Sequence, residues 1–336
     1  MGPAASEGPE AGARARGAEE RRRRPSPGKA PRAGGGCNLT PRARARRCRA
    51  LAALAPPLLV SRPVTAIIVL HYERIALTAE CCKTLVVQKE PARVLVVDNG
   101  SPSHGEAELR AALPAGVEVL RLAENRGFGG GMNAGMRRVL EDPATDSVLF
   151  LNNDTRCPPD LVGAMRAVLA ADPAAGLVGC DMEGAGGGES APAGYRLGRV
   201  FGYPRPCRPG EAPDYVQASC ILLPRDVVET IGGFDEDYRF FFEDADLSLR
   251  VRRLGRTLAI VPGVRIFHYG SATIGANDGR KAAWFRTGYR IFLRKWYSFP
   301  RLRGLPPFLG AVAWHLARGR FGLVAGSVRG YFAPLP

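Results

Sequence analysis

The chain has 336 residues, 46% of them hydrophobic, and a formal net charge of +15, so it can form one large domain or two modest ones. Residues 1–62 hold fourteen Lys/Arg and four Asp/Glu, and their net +10 leaves only +5 for the remainder. Such an Arg-, Pro-, Gly- and Ala-rich composition cannot bury enough apolar surface to offset the entropy of ordering. We therefore expect a disordered basic tail over 1–62, with no specific nucleic-acid partner.

The cysteines and apolar segments exclude further classes of protein. The eight cysteines lack CxxC spacing and accompanying histidine pairs, which argues against a zinc site or a disulfide framework. Residues 51–60 form the only long apolar stretch near the start, and they are too few to span a bilayer and contain two prolines. These features favour a cytoplasmic protein with reduced thiols.

Strand and helix patterns alternate beyond the tail. Continuous apolar runs predict strands over 64–71, 93–98, 117–122, 147–155, 176–180 and 215–223. Helical spacing predicts helices over 75–88, up to about 112, and over 127–140, 160–171 and 226–232. This alternation is typical of an α/β fold with a mostly parallel sheet covered on both faces.

Residues 183–214 interrupt this alternation. They are rich in Gly, Pro and Arg and show no hydrophobic period. Structureless segments of this length in compact domains are usually functional or disordered, so we expect a long active-site loop or lid here. The chain shows no second linker with a core of its own, which favours one catalytic domain.

The strand predicted over 147–155 carries Asn152, Asn153 and Asp154 at its end. A carboxylate there lies at the carboxyl edge of the sheet, where open α/β folds bind ligands. A hard oxygen ligand suits Mg²⁺ or Mn²⁺, although an Asn-Asp turn could also simply end the strand. His268 ends a later apolar strand and could complete a metal shell with Asp154 and phosphate oxygens, although a lone histidine is more often a packed or surface residue.

The glycine-rich segment ENRGFGGGMNAG, residues 124–135, follows a predicted strand and opens a helix. The N–H groups at a helix start can receive a phosphate. Gly129, Gly131 and Ala134 also satisfy a lax dinucleotide-binding fingerprint, but that fingerprint normally follows the first strand of its unit, and here it follows the third. A dehydrogenase and a purely structural glycine turn remain as alternatives.

An acidic and aromatic block occupies residues 232–250, with the sequence GGFDEDYRFFFEDADLSLR. Partial desolvation of Glu243 and Asp244 beside phenylalanines would raise their pKa values toward the range of a general base. Asp246 lies four residues before Arg250, and this spacing predicts an ion pair rather than a catalytic role.

These motifs stand in the order typical of family-2 glycosyltransferases with the GT-A fold, which the chain resembles from about residue 64 to 297. The matching segments are HYER at 71–74, VVDNGS at 96–101, NRGFGGGMNAG at 125–135, LNNDT at 151–155, the block at 232–250 and the strand ending at 268. The set is most similar to the rhamnosyltransferase branch. The resemblance implies a catalytic domain over 63–298 with a Rossmann-like nucleotide-diphospho-sugar transferase fold, followed by a helical or amphipathic segment over 299–336.

The resemblance also implies a role for each matching residue. Asp244 matches the general base and Glu243 its neighbour in the acceptor site, while Asp154 and His268 match the metal ligands. The positions that match the donor-binding residues are Tyr72, Glu73, Asp98, Asn125, Gly127, Gly130, Gly131, Asn133, Asn152 and Asn153. Asn152 stands where the DxD motif has its first Asp, and Glu73 stands where the family has Asn, which leaves the base and sugar preference open.

The activity implied is an inverting, Mg²⁺- or Mn²⁺-dependent transfer of a sugar, L-rhamnose from dTDP-rhamnose, to a cell-wall, O-antigen or exopolysaccharide acceptor or its lipid-linked precursor. A UDP- or GDP-sugar-dependent transferase, a nucleotidyltransferase and a non-catalytic sugar-nucleotide binding module are alternatives. Residues 296–332 mix aromatic residues and leucines with arginines. They suit either a helix pair that caps the domain or peripheral contact with the inner face of the cell membrane.

Overall fold

A computed structural model of the protein describes residues 63–184, 190–270 and 279–336. The tail expected over 1–62 lies outside the described residues.

A mixed nine-stranded sheet forms the centre of the described structure. Its strands are β1 Val64–His71, β2 Ala92–Asp98, β3 Glu118–Arg121, β4 Thr145–Asn152, β5 Thr155–Arg156, β6 Ala175–Gly184, β7 Ser190–Ala191, β11 Cys220–Pro224 and β12 Thr257–His268. The order is β3-β2-β1-β4-β11-β6-β12-β5, with β7 paired to β6. Strands β3, β2, β1 and β4 are parallel, and β11 runs antiparallel between β4 and β6. The α/β prediction is confirmed, with this antiparallel strand inserted in the sheet.

Helices connect the strands and cover the sheet. They are α1 Ile75–Leu85, α2 Glu106–Ala112, α3 Gly127–Leu140, α4 Leu161–Ala171, α5 Arg225–Ile231, α6 Glu243–Arg253, α7 Gly279–Trp296, α8 Pro300–Ala317 and α9 Phe321–Phe332. The left-handed Gly232 caps the end of α5 (φ 72°), a conformation that glycine adopts without a Cβ penalty.

The core has two apolar layers, one on each face of the sheet. Side chains alternate between the faces of a strand, so Ile67 and Val69 of β1 enter one cluster, while Ala66 and Ile68 enter the other. Helices α1 and α4 close the first layer, and α3, α5 and α6 close the second. The continuous apolar run of β1 is therefore explained by burial on both faces.

The prediction of one structureless segment over 183–214 is wrong for its described residues. Strands β7, β8 Gly194–Leu197 and β9 Pro204–Pro206 lie there, and β8 pairs with both β9 and β10 Tyr215–Val216 in a small second sheet. Strands of two to four residues are too short to show a hydrophobic period. The single strand predicted over 215–223 is likewise divided into β10 and β11.

The sequence allowed either a capping helix pair or a membrane-contacting segment at the C-terminal end, and the structure contains a helix pair there. Helices α8 and α9 pack on each other and on α7, and the rings of Phe308 and Tyr331 stack with centroids 4.0 Å apart. Among the described residues, no helix has the length and apolar character needed to cross a bilayer.

Candidate functional site

Asp154 and His268 meet at one edge of the sheet. Asp154 lies between β4 and β5, and His268 ends β12, which pairs antiparallel with β5 so that His268 is opposite Thr155. The Asp154 Oδ1 and His268 Nε2 atoms are 3.0 Å apart, and both side chains are largely buried. Tyr269 donates its N–H to the Asp154 carbonyl over 2.9 Å, which holds the two segments together.

This pair faces a cleft of about 440 Å³. Seven of the residues predicted from the sequence to bind donor or metal line it: Tyr72, Asn125, Gly127, Asn152, Asn153, Asp154 and His268. Asn153 donates to the Thr78 hydroxyl over 2.9 Å, and Asn125 accepts from the Gly127 N–H over 2.9 Å. The side chains are thus held at the cleft wall by bonds within the chain.

Three further residues predicted to bind the donor do not line the cleft, and their contact with a donor stays a prediction. Asn133 is buried in α3, where its Nδ2 donates to the Phe234 carbonyl and its Oδ1 accepts the Phe234 N–H, each over 2.8 Å. Gly130 and Gly131 are buried in the same helix. A Cβ on Gly131 would collide with the Leu70 side chain, so this glycine permits close packing of α3 on the sheet.

Glu73 also lies outside the cleft lining. It adopts a left-handed backbone (φ 66°), and its N–H donates to the Ser101 hydroxyl over 3.0 Å. Its carboxylate accepts the Ser103 N–H over 3.3 Å. The geometry ties the β1–α1 turn to the loop after β2 and leaves Tyr72 to line the cleft.

Asp98 is completely buried beneath the cleft, where it forms an ion pair with Arg121. The Nε2 atoms of His71 and His104 are 2.9 Å apart beside it, and all three residues offer ligand atoms within 4.8 Å of one another. Burial lowers the pKa of His71 to about 4. The Arg121 guanidinium is already paired with the Asp98 carboxylate, and its positive charge would repel a metal cation at this position. Asn99 lines the cleft instead, and the nucleotide contact expected of Asp98 stays a prediction.

Glu243 and Asp244 open into a second cavity, of about 250 Å³. Its lining is largely aromatic and consists in part of Phe128, Tyr195, Tyr215, Phe240, Phe241, Phe242 and Phe285. Burial raises the pKa of Asp244 to about 6, although the Ala245 N–H bonds the carboxylate over 2.8 Å. Burial and the neighbouring Asp244 raise the pKa of Glu243 well above its usual value. Glu243 Oε2 has no hydrogen-bond partner among the described residues.

A strained turn presents this acidic pair at the start of α6. Phe241 and Phe242 both have a φ of 70°, a left-handed conformation that bulky residues rarely adopt. Gly288 of α7 lies against the turn, and a Cβ there would stand 2.5 Å from the Phe241 carbonyl oxygen. Asp246 is paired with Arg250 over 2.8 Å, as its spacing predicts.

The cleft and the aromatic pocket adjoin one another. Six residues line both of them: Phe128, Asn152, Gln217, Ser219, Phe240 and Phe241. A molecule in the cleft that contacts Asp154 is therefore next to the pocket that contains Asp244.

Several lining residues were missed by sequence reasoning. Gln217 and Ser219 lie in the break between β10 and β11, and Ser219 accepts the Asn152 N–H at its carbonyl over 3.0 Å. The sequence did contain a signal for these two residues, because both are polar and interrupt the apolar run over 215–223. Arg239 and Trp284 also line the cleft, with the guanidinium 5.8 Å from the ring centroid, and nothing in their local sequence marks them.

Comparisons with known proteins show the family and the fold. The family model described as "Glycosyl transferase family 2" matches residues 66–232. An N-acetylglucosaminyl-diphospho-decaprenol L-rhamnosyltransferase of Mycobacterium tuberculosis is 26% identical over 244 residues, which are 62% of this chain and 77% of the relative.

Two solved structures share the fold at low sequence identity. GalNAc-T7 with UDP, GalNAc and Mn²⁺ superposes with a TM-score of 0.56 at 13% identity, over 72% of this chain and 49% of the other. The mannosyltransferase PcManGT of Pyrobaculum calidifontis with GDP-Man and Mn²⁺ gives 0.53 at 18% identity, over 86% of this chain and 94% of the other. The chain therefore belongs to glycosyl transferase family 2, with a GT-A fold and a rhamnosyltransferase-like sequence.

Proposed function

We propose that the chain is an inverting, metal-dependent transferase that moves a sugar from a nucleotide-sugar donor in the cleft to an acceptor hydroxyl in the aromatic pocket. The observation that carries this proposal is the junction of the two cavities. The Asp154–His268 pair lies in one and the Asp244 carboxylate in the other, and six residues line both. This arrangement suits direct transfer between two bound substrates.

Asp154 and His268 fit a divalent cation as one carboxylate and one imidazole ligand. The adjacent Asn152 is neutral, so the motif supplies one charged ligand. A bound Mg²⁺ or Mn²⁺ would neutralise charge on the leaving nucleoside diphosphate. Arg280 and Lys281 also line the cleft, and their positive charges suit the same diphosphate.

Asp244 acts as the general base in this proposal. Its carboxylate removes the proton from an acceptor hydroxyl while the hydroxyl oxygen attacks the anomeric carbon from the face opposite the diphosphate. The bond between the anomeric carbon and the diphosphate oxygen breaks as the new glycosidic bond forms, so the anomeric centre is inverted. A pKa of about 6 leaves Asp244 largely ionised at pH 7 and still basic enough to accept the proton.

Glu243 holds the acceptor in this scheme. Burial and the neighbouring Asp244 raise its pKa well above the usual value, which favours the protonated form of the carboxyl group. The protonated carboxyl can donate a hydrogen bond through the Oε2 atom, which lacks a partner among the described residues. The aromatic lining suits the apolar faces of a sugar ring.

The donor we propose is dTDP-rhamnose, and the acceptor is a cell-surface glycan or its lipid-linked precursor. The mycobacterial relative is named as a rhamnosyltransferase that acts on a diphospho-decaprenol acceptor, which supports both choices. A UDP- or GDP-sugar is the alternative, since the two solved structures contain UDP and GDP-Man.

Donor-dependent thermal stabilisation tests the proposal, because a ligand that binds the folded state raises its apparent stability. We expect dTDP-rhamnose to raise the melting temperature with Mn²⁺ but not with EDTA, and UDP-glucose, UDP-galactose, UDP-N-acetylglucosamine and GDP-mannose to have little effect. A metal-dependent shift with one of these other donors would identify that donor in place of dTDP-rhamnose, and the proposal of a metal-dependent glycosyltransferase would stand. No shift with any donor, from a protein that melts cooperatively, would contradict the proposal.

The base is tested by Asp244→Asn in the same assay. The variant should keep the donor shift and lose transfer, whereas Asp237→Asn, an exposed acid outside both cavities, should keep both. Wild-type turnover by Asp244→Asn would rule out the assignment.

A further inference from the structure

Helix α8 presents an apolar stripe to solvent. Leu302, Leu305, Leu309 and Leu316 are exposed by 71, 42, 54 and 48%. At 100° per residue these positions fall within an arc of about 60° on one side of the helix. Phe308, about 90° from the middle of this arc, is buried against α9, so the leucines lie outside the packed side of the helix.

Helix α9 repeats the pattern. Phe321, Val328 and Phe332 are exposed by 69, 38 and 72%, and they fall within an arc of about 40°. Phe299, just before α8, is exposed by 71%. Exposed apolar residues that form continuous stripes on two packed helices indicate a contact surface rather than scattered surface residues.

The charge of the hairpin indicates the kind of partner. Residues 299–336 contain five arginines and neither Asp, Glu nor Lys: Arg301, Arg303, Arg318, Arg320 and Arg329. A second copy packed on the same surface by two-fold symmetry would bring two sets of five positive charges together. An anionic lipid surface offers phosphate groups for the arginines and an apolar boundary for the stripes.

We propose that the α8–α9 hairpin docks in the plane of an anionic phospholipid bilayer, with both apolar stripes at the boundary between headgroups and acyl chains. An in-plane position fits the finding that, within residues 63–184, 190–270 and 279–336, no helix could cross a bilayer.

The side of α8 that faces away from the exposed leucines is directed toward the aromatic pocket. A groove of about 520 Å³ is lined by Phe201, Tyr203, Trp314 and neighbouring apolar residues of α8. The Tyr203 ring is 6.0 Å from that of Phe285, which lines the pocket with Asp244. The docking inference rests on the stripes and charges and does not depend on the proposed activity.

Vesicle sedimentation with the full chain tests the inference without donor or acceptor. Residues 1–62 carry a net +10 and will attract anionic vesicles at low salt, so binding is compared at about 0.1 and 0.5 M NaCl, where charge interactions are increasingly screened. We expect binding to vesicles containing phosphatidylglycerol to persist at the higher salt. The combined variant Leu302→Ser, Leu309→Ser, Phe321→Ser and Phe332→Ser should bind at least tenfold more weakly there.

Val87→Ser is the matched control, because Val87 is 63% exposed in a distant part of the chain. It should bind vesicles like the wild type. The four replaced side chains are at least 54% exposed, although the Phe332 ring also packs edge-on against Phe308. A combined variant that melts cooperatively above the assay temperature therefore allows any loss of binding to be assigned to the surface. Equal vesicle binding by the combined variant and the wild type at high salt would overturn the proposal.

A fluorescence measurement separates docking of the hairpin from binding by residues 1–62 alone. Trp284, Trp296 and Trp314 give a background that is subtracted with the wild type, and the additional fluorescence of Leu309→Trp should be quenched by brominated phosphatidylglycerol, whereas that of Val87→Trp should not. Absence of quenching at position 309 in vesicle-bound protein would refute the inference. A wild-type dimer in lipid-free solution that the combined serine variant converts to a monomer would assign the stripes to a second copy instead.

Discussion

Replacing Asp244 with Asn should stabilise the protein while it abolishes transfer. The folded state raises the pKa of this carboxyl from 3.8 to about 6 because burial disfavours its charged form. At 1.36 kcal/mol for each pH unit, the difference corresponds to about 3 kcal/mol of folding free energy lost when the group is ionised. Asn carries no charge and can still accept the Ala245 N–H that now bonds the carboxylate over 2.8 Å.

The stabilisation should depend on pH with a definite sign. Below about pH 4 the carboxyl is neutral in both folded and unfolded chains, and the wild type pays little of this cost. As pH rises from about 4 to 6, the unfolded carboxyl loses its proton more readily than the folded one, and wild-type stability falls relative to the variant. The advantage of Asp244→Asn should therefore grow from well under 1 kcal/mol near pH 4 to about 3 kcal/mol at pH 7.5.

Urea denaturation across this pH range measures the difference, and Asp237→Asn is the control at an exposed acid of the preceding loop. The same group should govern turnover. Transfer by the wild type should rise about tenfold per pH unit below pH 6 and level off above it. A variant no more stable than the wild type at pH 7.5 would refute the argument that Asp244 is held in a desolvating site.

Three further substitutions test the placement of other residues. Asp154→Ala should remove the Mn²⁺-dependent part of donor binding in a thermal shift, whereas Asp160→Ala, at an exposed acid on the next loop, should not. Equal shifts in both variants would contradict the metal site. Asn133→Ala should lower the free energy of unfolding by about 2–3 kcal/mol, because it removes buried hydrogen bonds to the Phe234 backbone. The folded fraction of this variant should bind the donor with wild-type affinity in calorimetry. A loss of donor affinity without a loss of stability would show that Asn133 contributes to donor binding. Gly288→Ala should reduce turnover more than donor affinity in steady-state kinetics, because the new Cβ would lie 2.5 Å from the Phe241 carbonyl oxygen. Unchanged turnover would show that the turn before α6 can move without cost.

Long helices and strands were predicted from the sequence more accurately than short ones. Strand β1 and helix α3 begin and end where the sequence predicts, since eight and fourteen residues are enough to show a period. Strands β8 and β9 were missed because four and three residues are not enough. The antiparallel direction of β11 was also invisible, since a buried strand has the same apolar run in either direction.

The site was predictable to a similar extent. Asp154, His268 and Asp244 stand out in the sequence because each follows or interrupts a strong apolar pattern, and the structure places them in two adjoining cavities. Asn133 was assigned to the donor because a polar residue in a glycine-rich helix start has the same sequence signal whether it faces a ligand or the protein. In the folded chain its side-chain amide bonds the backbone of Phe234, a hundred residues away, and its contact with a donor stays a prediction.

The sequence by itself determined the alternation of strands and helices, the acidic and aromatic block and the basic character of the C-terminal hairpin, because hydrophobic period and charge are local properties. Only the tertiary structure decided which groups meet. The pairing of β12 with β5 brings His268 to Asp154, and the packing of α7 against the turn before α6 encloses Glu243 and Asp244. Contacts between distant segments depend on register and burial, and these arise only when the whole chain has packed.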